Sequence, residues 1–330
     1  MQVLVTGAQG RVGRRLVATL LARGYTVRGM DVRAPAAPLA PGYQFVQGDL
    51  LDNQKVVQAV KGVDAVLHIA GLILFDDRQS RRIIDVNLRA TFEVLEAMAW
   101  SGQKFHRFVY ASSGQVYPDS HAPYDPVDEY CPTEPDTYYG YAKLASEEMA
   151  WFYQRKFGIP AVSLRFSHVQ DPSELIDSKS EYSSTRFFVH PRLEALRRTN
   201  PMTPLAEQAI HALEAVAIPG EQLFMACSPE GVPYEMTIIH TQDLVDGIIL
   251  AMEKPAAIGR AYNLGPAGPF NFGEMIPYMS ERLGIPYARV NLPFRPYRYD
   301  TSIAKIRAEL GYQPRYDARA MIDEAIANRK

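Results

Sequence analysis

The chain has 330 residues, of which 47% are hydrophobic and 22% are charged, so it is long enough to bury a substantial core and disorder is disfavoured. Its 35 Lys and Arg residues nearly balance its 37 Asp and Glu residues, which disfavours nucleic acid and anionic membranes as partners. Cys131 and Cys227 form no CxxC pair, and no secretory leader or membrane-length apolar run is visible, so we expect a cytoplasmic protein without disulfide or metal.

Short apolar runs bounded by Gly, Pro or charged residues predict six β-strands, at 2–6, 25–31, 43–47, 64–70, 105–112 and 160–166. Apolar residues spaced three and four apart predict amphipathic helices at 11–23, 53–61, 78–101 and 138–157. Because strands and helices alternate, right-handed crossovers between parallel strands give a doubly wound sheet with helices on both faces. The predicted fold class is therefore α/β, with a parallel Rossmann sheet.

Three glycines follow the first predicted strand at three-residue intervals, and they are Gly7, Gly10 and Gly13. Glycine permits the tight turn and close backbone approach that a bound pyrophosphate needs, and the next helix supplies N–H groups at its N-terminus. A turn that needs glycine only for its own backbone geometry is the alternative. Asp31 ends the second predicted strand, where a carboxylate accepts hydrogen bonds from the adenosine ribose. Asp31 would repel a 2′-phosphate, so NAD is favoured as the cofactor, while Arg28 and Arg33 keep NADP open.

The alternation of strands and helices stops near residue 168. A polar, Pro-containing segment follows, and 186–216 has a helical pattern without intervening strands. Strand and helix character returns at about 236–265, before a helical C-terminal tail. We therefore predict an NAD-binding Rossmann domain over 1–167 with that return segment, and a smaller, mostly helical substrate-binding region over 168–235 and 266–330.

Tyr139 and Lys143 are four residues apart in the helix predicted over 138–157, so both side chains lie on one face. An ammonium beside a phenol favours the phenolate and lowers its pKa, as a general acid or base for a hydroxyl requires. Ser112 and Ser113 follow a predicted strand at the carboxyl edge of the sheet, where ligands of this architecture bind. Tyr and Lys at this spacing are also ordinary helix surface residues, so the pair alone decides nothing.

Seven segments follow one another in a characteristic order: TGAQGRVG, GDLLD, HIAG, DVNLRAT, SSGQVYP, DEYCPTEPDTYYGYAK and ELGYQP. In this order they resemble the motifs of the extended short-chain dehydrogenase/reductases of the NAD-dependent epimerase/dehydratase family, the family of UDP-galactose 4-epimerase. The resemblance covers most of the chain, and the ordered set is far more specific than any single motif.

The resemblance implies roles for individual residues. Tyr139 would be the catalytic acid/base, Lys143 would hold the nicotinamide ribose and tune Tyr139, and Ser113 would orient the substrate oxygen. The cofactor would be NAD, and the helix at 78–101 would join the Tyr139 helix in the four-helix interface of a homodimer. The residues implied in cofactor binding are Gly7, Gln9, Gly10, Arg11, Val12, Gly13, Asp31, Asp49, Leu50, Ile69, Ala70, Gly71, Asn87 and Lys143.

Two departures from the family pattern bear on the substrate. Dehydratases of the family carry an acidic pair after the position of Ser113, whereas Gly114 and Gln115 stand here, so dehydration is disfavoured. Nucleotide-sugar enzymes have an Asn and an Arg that engage the substrate diphosphate, and this chain has His168 and Met236 near those places. His168 is therefore either a substrate contact or a packed loop histidine. The candidate substrate-binding residues are Ser113, Gln115, His168 and Arg186, with Arg192, Arg295 and Arg298 as further cations.

These features predict an NAD-dependent oxidoreductase acting on a secondary alcohol of a sugar or sugar derivative. If the ketone is reduced again on its other face, the enzyme is an epimerase, and a nucleotide-sugar epimerase is the favoured interpretation. If the ketone leaves, the enzyme is a dehydrogenase or reductase of a non-nucleotide sugar or sugar acid. A non-catalytic cofactor-sensing regulator is the third alternative, disfavoured because Tyr139 and Lys143 are both present.

Overall fold

The computed structural model describes residues 1–74, 76–118, 122–199, 201–294 and 300–329, which divide into two compact units. The first unit comprises Met1–Ser167, Gln242–Gly265 and Thr301–Gln313, and the second comprises His168–Thr241, Pro266–Asp300 and Pro314–Lys330. From the sequence we assign 301–313 to the substrate-binding region and 236–241 to the Rossmann domain, whereas the contacts place each segment in the other unit.

The strands of the described residues are, in chain order, β1 (Gln2–Thr6), β2 (Thr26–Asp31), β3 (Tyr43–Gln47), β4 (Ala65–His68), β5 (Arg107–Ser113), β6 (Ala161–Phe166), β7 (His168–Gln170), β8 (Leu223–Cys227), β9 (Glu235–Met236), β10 (Ile238–His240), β11 (Arg260–Leu264), β12 (Phe270–Asn271) and β13 (Tyr287–Asn291).

The α-helices are α1 (Arg11–Ala22), α2 (Asn53–Val60), α3 (Ser80–Ile84), α4 (Ala90–Ala99), α5 (Tyr138–Phe157), α6 (Pro172–Leu175), α7 (Ser184–Phe187), α8 (Val189–Arg197), α9 (Pro204–Glu214), α10 (Thr241–Glu253), α11 (Phe272–Leu283), α12 (Ala304–Leu310) and α13 (Ala318–Ala327). Short 3-10 turns cover Asp77–Gln79, Gly114–Val116 and Pro255–Ala257. None of the helices in the described ranges is long and apolar enough to cross a membrane.

The first unit is built on a seven-stranded sheet in the order β11-β6-β5-β4-β1-β2-β3. Every neighbouring pair in it is parallel. All six predicted strands are present, and their ends differ from the prediction by at most two residues. The strand order reverses at β1, and ligands of such sheets bind in the crevice outside the carboxyl ends of the strands at this point. The predicted α/β class and doubly wound parallel sheet are confirmed.

The sheet is covered on both faces, as its strand sequences require. All seven residues of β5 are buried, which is typical of a parallel strand with helices on both sides. On α1 the buried residues Gly13, Leu16, Val17 and Leu20 form one stripe at helical spacing. Apolar residues of β1, β4, β5 and α5 share one buried cluster with α2 and α4. This part of the core of the first unit therefore lies between the sheet and the helices α2, α4 and α5.

The segment 78–101 is predicted as one helix, and the structure interrupts it with a π turn at Asp85–Arg89. The hydroxyl groups of Thr91 and Ser146 both donate to the carbonyl oxygen of Asn87, at 2.8 and 3.0 Å, in the middle of that wide turn. A π turn adds a residue without ending the helix, so apolar spacing alone does not reveal it.

The second unit combines helices with three two-stranded sheets, β10-β7, β12-β9 and β13-β8. The strand β8 is absent from the prediction, which assigns no element between 216 and 236; its five residues are all buried, so they show no alternation of apolar and polar residues. The predicted return to the main sheet is shorter than 236–265, because β10 pairs with β7 and only β11 joins β6. Residues 301–313 belong to the first unit because α12 packs beside β11, where the Lys305 ammonium donates to the Ala261 carbonyl at 2.8 Å.

Candidate active site

The glycine turn after β1 packs tightly against the segment that follows β4. Gly7 has φ +70°, a conformation that side chains disfavour, and its N–H donates to the Met30 carbonyl at 2.8 Å. A Cβ on Gly7 would lie 2.8 Å from the Cα of Ala70, and one on Gly13 would lie 2.1 Å from the carbonyl oxygen of Gly7. Only glycine fits these two positions, so the turn is held at the carboxyl ends of β1 and β4.

The N-terminus of α1 is suited to an anion. Its N-cap is Gly10, which has no side chain to cap the N–H groups of Arg11, Val12 and Gly13, and its first turn contains no acidic residue. Such N–H groups and the helix dipole together stabilise a phosphate. The glycine cradle and this uncapped helix end fit the pyrophosphate of NAD.

Asp31 lies at the end of β2, beside the glycine turn. Its carboxylate accepts the backbone N–H of Gln9 at 2.9 Å and that of Arg33 at 3.0 Å, one on each oxygen. The Arg33 guanidinium lies 3.6 Å from the Asp31 carboxylate. A carboxylate has about four lone-pair positions, so Asp31 keeps acceptor capacity for ribose hydroxyls.

The segment after β4 connects the glycine turn to the predicted catalytic residues. The N–H of Ala70 donates to the Thr6 hydroxyl at 3.3 Å, and Ile69 is half-buried. A Cβ on Gly71 would lie 3.1 Å from both the Asn87 side-chain oxygen and the Lys143 ammonium. The predicted cofactor residues Ala70, Gly71, Asn87 and Lys143 are thus brought together.

Asn87 is buried and fixes this segment with its side chain. Its amide oxygen accepts the N–H of Leu72 at 3.0 Å, and its amide nitrogen donates to the carbonyls of Leu72 and Ile83 at 2.9 Å. At the far end of the sheet, the exposed Asp49 accepts the N–H of Leu51 at 3.0 Å, and Leu50 packs against the core. Asp49 and Leu50 therefore lie apart from Lys143, at the β3 side of the unit.

Tyr139 and Lys143 are both buried in the first two turns of α5. The N-cap of this helix is Thr137, whose hydroxyl oxygen accepts the N–H of Gly140 at 3.0 Å. The Lys143 ammonium donates to the Ala111 carbonyl at 2.9 Å and lies 5.7 Å from the centre of the Tyr139 ring. Burial lowers the pKa of Lys143 to about 7, although the nearby Glu147 carboxylate acts in the opposite direction.

Ser113 ends β5 and opens the 3-10 turn Gly114–Val116. Its hydroxyl oxygen accepts the N–H of Gln115 at 3.2 Å. A Cβ on Gly140 would lie only 2.1 Å from the Gln115 carbonyl oxygen, so the absence of a side chain there lets the turn pack against α5. The structure thus places Ser113 and Gln115 against the helical turn that carries Tyr139.

His68 is a buried neighbour that the sequence does not single out. Its Nδ1 lies 2.8 Å from the Thr6 hydroxyl and its Nε2 lies 3.1 Å from the Thr91 hydroxyl. Burial lowers its pKa to about 3, and the Lys143 charge contributes to the shift. His68 is therefore neutral near pH 7, and its ring contacts the hydroxyl groups of Thr6 and Thr91 in the buried layer next to Lys143.

The other two predicted substrate residues lie in the second unit. The His168 ring stacks on Tyr182 with centroids 5.1 Å apart, and the Arg186 guanidinium lies 5.2 Å from the same ring. Arg186 also donates to the Tyr182 carbonyl. The structure therefore brings His168 and Arg186 together around Tyr182, a residue that no motif in the sequence singles out. Of the further cations, Arg192 lies 5.7 Å from the Phe294 ring, whereas Arg295 and Arg298 are outside the described residues.

A profile of the NAD dependent epimerase/dehydratase family matches residues 3–188. The chain belongs to this family. A short-chain dehydrogenase/reductase superfamily protein from Agrobacterium tumefaciens, solved with bound NAD, is 36% identical and has a TM-score of 0.90 over 99% of this chain and 96% of its own. UDP-glucose 4-epimerase from Thermotoga maritima, solved with UDP-glucose, is 20% identical with a TM-score of 0.76 over 99% of this chain and 98% of its own, and shows the fold.

This family member is similar in sequence to two kinds of enzyme, uronate dehydrogenases and UDP-glucose 4-epimerases. The uronate dehydrogenase of Pseudomonas syringae pv. tomato is 36% identical over 165 residues, which are 50% of this chain and 58% of that protein. The match thus spans a little over half of the uronate dehydrogenase. The UDP-glucose 4-epimerase of Streptococcus mutans is 26% identical over 96% of this chain and 93% of that protein.

The family membership confirms two expectations from the sequence. The chain is an NAD-dependent enzyme of the extended short-chain dehydrogenase/reductase type, and NAD is its cofactor. Among the residues that the structure describes, no group of three His, Cys, Asp or Glu side chains is arranged to hold a metal ion. Both cysteines, Cys131 and Cys227, are free and buried.

Proposed function

We propose that this family member oxidises a carbinol of a sugar acid with NAD, using Tyr139 as the general base. The observation that carries this proposal is the position of Lys143. Its ammonium donates to the Ala111 carbonyl, lies beside the Tyr139 ring and would lie 3.1 Å from a Cβ on Gly71, in the segment that follows β4. One cation thus adjoins both the phenol and the predicted nicotinamide end of the cofactor site.

The chain's own groups divide the work of oxidation. The Lys143 charge favours the phenolate of Tyr139, which takes the proton of the substrate hydroxyl. Ser113 donates its hydroxyl proton to the same substrate oxygen and holds it while the carbonyl forms. Bound NAD supplies the oxidising power by accepting hydride from the carbon. In the reverse direction, Tyr139 returns its proton to the carbonyl oxygen.

The preference for a sugar acid rests on two observations. The uronate dehydrogenases of two Pseudomonas species are 36% and 33% identical to this chain over 165 residues, more than the 26% of the Streptococcus mutans epimerase. His168 and Met236 also stand near the positions where nucleotide-sugar enzymes of the family have the Asn and the Arg that engage the substrate diphosphate. A neutral Met cannot replace a bidentate phosphate clamp.

A nucleotide-sugar epimerase is the second candidate. Full-length matches favour it, because the Streptococcus mutans and Corynebacterium glutamicum UDP-glucose 4-epimerases cover 96% and 99% of this chain. The chemistry at Tyr139 would be the same, and the ketone would stay bound until hydride returns to its other face. We also propose that the protein forms a homodimer through α4 and α5. Its cytoplasmic location stays a prediction from the sequence.

A substrate screen separates the two candidates. The purified protein is incubated with NAD and with uronic acids, neutral hexoses or UDP-sugars, while NADH absorbance and the product configuration by NMR are followed. We expect NADH to accumulate with a uronic acid and not with the matching neutral hexose. Inverted UDP-sugar without net NADH would identify the epimerase instead, and no turnover of any sugar would overturn the proposed function.

The assignment of Arg186 to the substrate is tested in the same assay. Arg186→Gln removes the positive charge while retaining a side chain that can hydrogen-bond. If Arg186 binds the acid group, the variant raises KM for the uronic acid and changes kcat little. An unchanged KM would remove Arg186 from the substrate-binding residues.

A further inference from the structure

A buried ion pair lies on the catalytic helix, one turn beyond Lys143. Glu147 is on α5 and Arg165 is on β6, and their side chains are at most 8% exposed. The Arg165 guanidinium donates to both carboxylate oxygens of Glu147, with N···O distances of 3.1 and 2.8 Å. Neither residue belongs to the glycine turn or to the Tyr139, Lys143 and Ser113 set.

The pair extends into a chain of buried hydrogen bonds. The third guanidinium nitrogen of Arg165 donates to the Tyr117 hydroxyl at 2.8 Å, and the guanidinium also lies 4.9 Å from the Tyr117 ring centre. The Tyr117 hydroxyl donates to the Asn263 side-chain oxygen at 2.8 Å. Tyr117 directly follows the 3-10 turn that Ser113 opens, so Arg165 connects that turn to α5.

The groups that face Lys143 come from four elements. They are Tyr139 and Glu147 on α5, the Tyr110 ring and Ala111 carbonyl on β5, His68 on β4, and the Asn87 amide of the π turn. His68 is neutral near pH 7, because its pKa is about 3. Among these described groups, Glu147 supplies the negative charge that raises the pKa of Lys143.

We propose that Glu147, oriented by Arg165, is a positioning residue that keeps Lys143 in its cationic form beside Tyr139. Arg165 has two effects in this arrangement. It fixes the carboxylate one helical turn from Lys143, and it partly neutralises the carboxylate's field. The proposal rests on the role proposed for Lys143 toward the nicotinamide ribose and the Tyr139 phenol, and it adds a second layer of residues that sets the charge of that lysine.

The sign of each substitution follows from electrostatics. Glu147→Gln removes the negative charge and leaves the Arg165 cation, so it lowers the pKa of Lys143. Arg165→Met leaves Glu147 unneutralised, so it raises the pKa of Lys143. A purely structural role would weaken the fold or the binding in both variants without moving their titrations in opposite directions.

The test measures the dissociation constant of NAD as a function of pH, by calorimetry and without sugar. NAD binding weakens as Lys143 loses its proton, since the neutral amine donates more weakly to the ribose hydroxyls. We expect the midpoint of this loss to fall by about one pH unit in Glu147→Gln and to rise by a similar amount in Arg165→Met. Glu148→Gln, at the exposed neighbouring position, should leave the midpoint unchanged.

A buried charge left without its partner can prevent folding, so a double variant completes the test. Glu147→Gln with Arg165→Met removes both charges, and we expect it to fold with a midpoint below that of the wild type. Midpoints equal to the wild type in the folded variants would overturn the proposal. Because NAD binding needs no sugar, this result is independent of the substrate screen, and failure of the proposed oxidation would appear only there.

Discussion

At the residue scale, Asp31 is the group that we expect to select NAD. Its carboxylate is fixed by the N–H groups of Gln9 and Arg33 at the end of β2. Hydrogen bonds to a charged group contribute about 1.5–3 kcal/mol, so we expect NAD to bind at least about tenfold more tightly than NADP. Asp31→Asn should reduce this ratio. Titrations of both cofactors measure it, and a wild-type protein that prefers NADP would contradict the role given to Asp31.

His68 makes a separate prediction about acid stability. Its pKa is about 3 in the folded protein, below the ordinary value of 6.5, so the unfolded chain binds one more proton between those values. Stability is therefore fully present above about pH 6.5 and falls as the pH drops toward 3, with a slope of up to about 1.4 kcal/mol per pH unit. This slope is the contribution of the single His68 imidazole.

Urea unfolding between about pH 4 and pH 6 measures this contribution. His68→Gln removes the titrating group and keeps a side chain that can hydrogen-bond Thr6 and Thr91. The variant should be less stable near pH 7, but its stability should fall less steeply with acid than that of the wild type. Equal slopes in the two proteins would mean that His68 is not held neutral by burial.

At the scale of elements, Gly140 decides how closely the Ser113 turn approaches α5. A Cβ on Gly140 would lie 2.1 Å from the Gln115 carbonyl oxygen, which is backbone and cannot rotate away. Gly140→Ala should therefore displace the turn and lower the turnover of sugar by more than about tenfold, because misplaced catalytic groups lose rate steeply. NAD binding should change much less, since the glycine turn is untouched.

Gly268→Ala is the matched control for this substitution. Gly268 has no positive φ, and a Cβ there would meet nothing within 4 Å. The turnover and the melting temperature of the Gly268→Ala variant should equal those of the wild type. A Gly140→Ala enzyme with wild-type turnover would show that the close packing of Gln115 on α5 is not needed for catalysis.

Local patterns explain which parts of the fold and site are predictable from sequence. The glycine turn and the Tyr139 and Lys143 pair depend on spacings of three or four residues, which a helix or turn converts directly into proximity. Lys143 meets the Ala111 carbonyl 32 residues away, and Arg165 meets the Tyr117 hydroxyl 48 residues away. No periodicity encodes such pairings, so the contacts of Lys143 with Ala111 and of Arg165 with Tyr117 appear only in the folded structure.

At the scale of the whole molecule, the sequence predicts the sheet better than the second unit. Alternating strands and helices permit few arrangements once crossovers are right-handed, and the seven parallel strands follow from that rule. The second unit contains three separate two-stranded sheets, whose strands have two to five residues. The strands β8 and β13 are as long as β1 and β3, but they lie outside the segments in which strands and helices alternate, so no pattern of neighbouring elements marks them and both are missed.

The proposed homodimer has a visible candidate surface in the first unit. Phe92, Trp100, Tyr141 and Phe152 are 41% to 73% exposed, and they lie on or at the end of α4 and α5, which pack together. We expect a dimer at micromolar concentration in light scattering. The double variant with Phe92→Glu and Phe152→Glu should be a monomer, because each charge would be buried in the interface.

Tyr130→Glu provides the control for this surface. Tyr130 is 86% exposed and lies outside both helices, so its substitution should leave a dimer intact. A wild-type monomer at the same concentration would exclude the homodimer.

A comparison of Tyr139→Phe with Tyr138→Phe shows whether the Tyr139 hydroxyl exchanges the substrate proton. Tyr139 is buried one turn from Lys143, whereas Tyr138 is exposed and has Ala142 four residues on. We expect Tyr139→Phe to bind NAD normally and to lose about a hundredfold or more in sugar turnover, while Tyr138→Phe keeps the wild-type rate. A Tyr139→Phe enzyme with more than about a tenth of the wild-type rate would show that Tyr139 is not the acid/base.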